Sequence, residues 1–100
     1  MLTALERFFP PDHPAAEGHF PGNPIIPGAV LLSEILRAMQ NELGLSLSSV
    51  QIKSAKFFYP VRPGDRVRIE CLRSPSGDIK FNCVVEEKTV LNGQLQCGSE

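Results

Sequence analysis

Residues 10–27 carry six of the nine prolines of the chain, together with Gly18 and Gly22. Proline fixes φ and has no N–H to give to a ladder, so neither a helix nor an interior strand can run through this stretch. It is expected as a long loop, ordered or disordered, that separates a short leading segment from the rest. Long connections without regular structure are uncommon in compact small domains and tend to be functional. A functional site is therefore expected in this stretch.

The leading segment, residues 2–9, is rich in Leu and Phe without helical spacing and is predicted as a short strand. Residues 28–43 form the one clear helical pattern. On a 100° wheel Leu31, Leu32, Ile35, Leu36, Ala38, Met39 and Leu43 fill one arc, while Ser33, Glu34, Arg37 and Asn41 fall elsewhere. Gly44 supplies the stop. Val30 adds an apolar position on the far side, so the helix is expected to be surrounded, as by a curved sheet.

Beyond it, residues 50–61, 66–73, 79–87 and a last stretch to Cys97 have the character of strands. Val67, Ile69 and Cys71 alternate with Arg66, Arg68 and Glu70; Ile79, Phe81, Cys83 and Val85 alternate with Lys80, Asn82 and Glu86. Turns are predicted at Pro63-Gly64-Asp65, at Pro75-Ser76-Gly77-Asp78 and, as a hairpin, at Asn92-Gly93. The pattern predicts an α+β fold: one strand, one central helix, then four strands in an antiparallel meander.

At 100 residues the chain is expected to be a single domain over 1–100, and so small a core favours self-association. Ten Lys and Arg against eleven Asp and Glu leave a net charge of -1, which gives no basic field for nucleic acid or an anionic membrane. The apolar runs are too short to span a bilayer, and the expectation is a cytoplasmic protein. Cys71, Cys83 and Cys97 are odd in number and lack zinc-site spacing, so they are expected as reduced, mostly buried thiols. No metal, nucleotide or other cofactor motif is visible.

Chemistry concentrates in residues 18–36, GHFPGNPIIPGAVLLSEIL. His19 lies in the proline-rich segment, and Gly28 follows Pro27 at the helix start. The first turn of a helix has unpaired N–H groups and the positive end of the dipole, so a carbonyl oxygen or oxyanion can dock there. A nearby histidine is a general base. Composition alone leaves the structural alternative open: a surface histidine, and a glycine that eases a turn.

The run His19-Phe20-Pro21-Gly22-Asn23-Pro24-Ile25-Ile26-Pro27-Gly28 resembles the signature of the 3-hydroxyacyl-acyl-carrier-protein dehydratases of bacterial fatty-acid synthesis. Residues 55–70, AKFFYPVRPGDRVRIE, resemble the strand, turn and strand of that family, and the likeness covers residues 3–97. It implies the hotdog fold, an antiparallel sheet wrapped around a central helix, here shortened at the N-terminus by a helix and a strand. It also implies a homodimer or larger homo-oligomer, or a heteromer, with sites at the subunit interface. The substrate implied is an acyl thioester on acyl carrier protein or CoA. By position His19 is the base that removes the C2 proton, and the Gly28 N–H polarises the thioester carbonyl. Phe20 and Pro27 belong to the same substrate-binding string.

The resemblance breaks at the acid. The family's Glu or Asp stands five residues after the glycine, where this chain has Ser33; Glu34 comes one residue later, turned by about 100°. The acid's place falls to Glu34 or to a water on Ser33. A non-catalytic acyl-binding or partner subunit is the alternative that a missing carboxylate favours, and a hotdog thioesterase is a third. His13 is expected as a turn residue. Arg62, Arg66, Arg68, Arg73, Lys53 and Lys56 are either a patch for an acidic carrier or a solvated strand face. Phe57, Phe58 and Tyr59 are expected in the core rather than along an acyl tunnel.

Overall fold

The computed structural model describes residues 2–13 and 24–97. The elements are β1 (Leu2–Phe8), helix α1 (Gly28–Leu43), a 3-10 turn (Leu47–Ser49), β2 (Val50–Phe57), β3 (Arg66–Arg73), β4 (Ile79–Val85) and β5 (Lys88–Cys97). The five strands form one antiparallel sheet in the order β1-β3-β4-β5-β2. This is the hotdog arrangement of one helix and one sheet.

The helix ends as its sequence predicts. Gly44 adopts the left-handed conformation, φ 69°, and its N–H closes on the Gln40 carbonyl. Leu31, Ile35 and Met39, spaced by four, are buried against the sheet, with Leu32, Leu36, Ala38 and Leu43 packed at the margins. The sheet answers with period two: Leu5 from β1, Val67, Ile69 and Cys71 from β3, Ile79, Phe81 and Cys83 from β4, Leu91 and Leu95 from β5. Each fully buried Leu or Ile contributes roughly 1.5–3 kcal/mol. The helix is not surrounded within one chain, however: Ala29, Ser33 and Arg37 form an exposed stripe.

Three expectations are corrected. Only β3, β4 and β5 form a meander, because β2 lies at the far edge beside β5, and β1 takes the place next to β3. The Asn92-Gly93 pair is not a hairpin turn. It lies within β5, paired to Asn82 and Phe81 on one side and to Lys56 and Ala55 on the other. Glycine is needed there because a β-carbon at position 93 would strike the Ser54 carbonyl and come within 2.6 Å of the Phe81 ring. The β4–β5 turn is made instead by Glu86 and Glu87, at φ 48° and 68°, the positive φ that a two-residue primed turn demands. The third correction concerns Phe57, Phe58 and Tyr59, which are 47%, 46% and 53% exposed and stand outside the core. Phe57 ends β2, an edge strand exposed along almost its whole length, and Phe58 and Tyr59 follow it.

The predicted turns at Gly64 and Gly77 are present, at φ 96° and 94°. The first is fastened to the end of β1: the Phe9 N–H donates to the Asp65 carbonyl at 2.9 Å, and the Gly64 N–H donates to the Phe9 carbonyl. Among the described residues no helix is long and apolar enough to cross a membrane.

Candidate active site

Pro27 precedes the helix with φ -56° and ψ 143°, a conformation that its ring favours, and it has no side-chain acceptor to offer. The Leu31 N–H is the first to bond back into the helix, to the Pro27 carbonyl at 2.9 Å. Among the described residues no side chain caps the helix, and a ligand could meet the amides of the first turn there. Gly28 is exposed, and the Phe57 ring lies 3.3 Å from where its β-carbon would be. A groove of about 230 Å³ opens there, lined by Ile25, Ile26, Gly28, Leu31 and residues 57–61. Its lining side chains are mostly apolar, and the helix start lies against it.

Ser33 and Glu34 part company on the helix. Ser33 stands on the exposed stripe with Ala29 and Arg37. Glu34 is turned to the opposite edge of the sheet from Phe57, where β1 lies. Arg7 Nε and Nη2 donate to its Oε1 at 3.1 and 2.6 Å, and His13 Nε2 lies 2.5 Å from its Oε2. Burial pushes the Glu34 carboxyl up, but the hydrogen bonds from Arg7 and His13 and their charges outweigh it, and the net shift is downward. Glu34 is thus held as a carboxylate, with both oxygens engaged, away from Gly28.

His13 is a turn residue, since its N–H closes on the Pro10 carbonyl at 3.0 Å. It is also more: its ring packs against that of fully buried Phe9, centroids 5.7 Å apart, while it holds Glu34. Nothing in the sequence signals a pairing across 21 residues between a turn and a helix. The alternation of β1 gives a partial clue, because Arg7, two residues after buried Leu5 and in register with Val67, lies on the helix side of the sheet. His19 and Phe20 lie outside the described residues. The cationic side chains do not form one patch. Arg66 pairs with Glu6 and covers Phe8, and Arg68 pairs with Glu70, near the β1 edge, whereas Lys53 and Lys56 are on β2 at the other. Cys71 and Cys83 are buried, as expected.

A five-stranded antiparallel sheet cradling one helix, whose open amino end meets an apolar groove, places the chain among the hotdog proteins. It is similar to the dehydratase heterocomplex ApeI:P from Xenorhabdus doucetiae, with a TM-score of 0.77 at 21% identity over 98% of this chain and 88% of that one. The (R)-hydratase from A. caviae involved in PHA biosynthesis gives 0.67 at 18% identity, over 97% and 94%. Residues 3–94 match the ApeI-like model, described as ApeI dehydratase, and the chain belongs to that family. It is also 34% identical to the 3-hydroxyacyl-acyl-carrier-protein dehydratase FabZ of Caulobacter vibrioides, over 85% of this chain and 56% of that protein. The counterpart from Lactobacillus helveticus is 32% identical over 94% of this chain and 66% of its own length. The chain therefore spans only about half to two thirds of the curated relatives it matches.

Proposed function

We propose that this protein dehydrates 3-hydroxyacyl thioesters to trans-2-enoyl thioesters, or hydrates them in reverse, with acyl carrier protein or CoA as the carrier. The observation that carries the reading is the uncapped start of α1 at the mouth of an apolar groove. The groove suits an acyl chain, and the amide suits the thioester carbonyl beside it. Removal of the C2 proton puts enolate charge on that oxygen, where a preorganised N–H has its greatest effect, worth about 3–4 kcal/mol per donor. His19 takes the C2 proton, the C3–O bond breaks, and the hydroxyl leaves as water. The proton that His19 has taken reaches the departing hydroxyl through a water held by Ser33, which faces the open side of the helix. The names of the FabZ relatives support this substrate class.

The assembly belongs to the same reading. With β2 exposed and Ile52, Phe57, Phe58 and Tyr59 open, a second copy pairing along β2 would cover the edge and close the groove, giving a homodimer. A partner of the same fold that brings its own carboxylate would do so as a heteromer. A cytoplasmic location accords with this role.

The test is hydration of a short trans-2-enoyl thioester and dehydration of a 3-hydroxyacyl carrier protein by the wild type, His19→Ala and Ser33→Ala, with the sedimenting mass measured alongside. His19→Ala is expected to lose roughly 10²–10⁴-fold in kcat. A wild type that is inert while binding the acyl carrier makes it a binding or partner subunit instead.

A further inference from the structure

We propose that Arg7, Glu34 and His13 form a positioning clamp that fixes the start of the segment bearing His19, and that Glu34 acts in this way rather than as the acid. The inference rests on the dehydratase reading for the role of His19, but the clamp itself stands on geometry. The side chains come from three separate pieces of chain: the edge strand β1, the turn after it, and the second turn of α1. One carboxylate joins them, with Arg7 on Oε1 and His13 on Oε2. Glu34 and His13 are 18% and 13% exposed, so this is a largely sheltered contact rather than a solvated surface pair.

Its place along the chain gives the cluster its consequence. His13 directly precedes residues 14–23, and on the other side of them the Ile26 N–H donates to the Val61 carbonyl at 2.7 Å in an isolated bridge. Ten residues therefore start from one fastened point and return to another. The return point is held by backbone, next to Gly28. The start is tied to the helix by the Glu34 carboxylate, while the Phe9 ring and the Pro10 carbonyl hold His13 to the end of β1. Removal of the carboxylate takes away the contact that ties His13 to α1, where the segment begins. An ordinary stabilising ion pair on β1 needs Arg7 alone. The second oxygen, spent on a residue outside the strand, distinguishes a clamp from such a pair.

A general acid and a clamp respond differently to glutamine. The side-chain amide that Glu34→Gln introduces still accepts from Arg7 and still bonds His13, yet has no proton to give at neutral pH. We expect Glu34→Ala and His13→Ala each to lower kcat at least 10-fold with KM within about 3-fold, and the double variant to fall no further than either. Glu34→Gln is expected to regain most of that loss. Equal loss in Glu34→Gln and Glu34→Ala identifies Glu34 as the acid and overturns the clamp. So does an unchanged kcat in both alanine variants with a lowered Tm, which leaves a purely structural cluster. Amide exchange provides the reading independent of turnover. Glu34→Ala is expected to speed exchange of the His13 amide, which donates to the Pro10 carbonyl, at least 10-fold while β3, β4 and β5 keep their rates. No acceleration there overturns the clamp even if the wild type is active; acceleration with an inert wild type upholds the clamp and refutes the dehydratase reading.

Discussion

The ring of Phe57, at the end of the edge strand β2, stands 3.3 Å from the position a β-carbon would take on Gly28, the first residue of the helix. This is tighter than ordinary van der Waals contact, so the smallest added group must push the ring toward the groove. Ala is otherwise welcome at a helix start and keeps the N–H. Gly28→Ala is therefore expected to leave Tm nearly unchanged and to raise KM for long acyl thioesters more than for short ones, by about 5-fold or more. Steady-state kinetics with a chain-length series reads this, and a KM independent of chain length would show that the groove by Gly28 does not hold the acyl group.

Gly93 is under a stricter constraint from the same kind of closeness. A β-carbon there strikes the Ser54 carbonyl from β2 and lies 2.6 and 2.9 Å from two atoms of the Phe81 ring, so backbone as well as side chain must move. Gly93→Ala is expected to destabilise the fold by about 2 kcal/mol, a drop of roughly 10 °C in Tm. Thermal unfolding measures it; a change under about 0.5 kcal/mol would mean that the central strands give way more easily than their packing implies.

These two glycines show which parts of the fold were legible in the sequence. Helix α1 and its Gly44 stop follow from a sixteen-residue periodicity, and the inward residues of β3 and β4 from strict alternation. Both are local signals. Asn92-Gly93 carries a strong hairpin signal yet sits in mid-strand, because the close approach of Phe81 from β4 and Ser54 from β2 decides the matter. The turn that forms in its stead uses two glutamates, which no turn rule favours. Phe57, Phe58 and Tyr59 look like core residues by composition, and only the placing of β2 at an edge exposes them. At the site, the helix start at Gly28 was legible from Pro27 and the helical period. The meeting of Glu34 with Arg7 and His13 was not, since contacts across 27 and 21 residues depend on β1 lying beside the helix.

The two buried thiols couple stability to alkaline pH. Burial pushes Cys71 up to about 11, while burial and the neighbouring Cys71 push Cys83 up to about 12. The unfolded thiols ionise near the ordinary thiol value of 9.0, so above that pH the unfolded state holds fewer protons than the folded one. Stability then falls as pH rises, with full protection below about pH 9 and progressive loss through 11 and 12. Denaturant titrations at about pH 8 and about pH 10 are expected to show the drop, and Cys71→Ala/Cys83→Ala, itself less stable, to show a smaller one. An identical pH slope in both proteins would assign the loss to other groups. In the native protein at about pH 8, half-buried Cys97 is expected to react first with a disulfide reagent.

At the acid end the sign reverses, and Glu34 sets it. Burial works to raise this carboxyl, but hydrogen bonds from Arg7 and His13 and their charges outweigh it and leave it below the ordinary 4.5. The folded state therefore releases this proton more readily than the unfolded state, so the stabilisation is present above about pH 4.5 and is lost as pH falls through the folded value. Because Arg7 is 46% exposed, salt and water screen much of its charge, and the effect is expected to be modest. Glu34→Gln is expected to be less stable than wild type at about pH 7, and the two curves to converge as pH falls through the lowered folded value. A gap that stays constant from about pH 7 to about pH 3 would mean that the carboxylate charge contributes nothing to holding β1, the turn at His13 and the helix together.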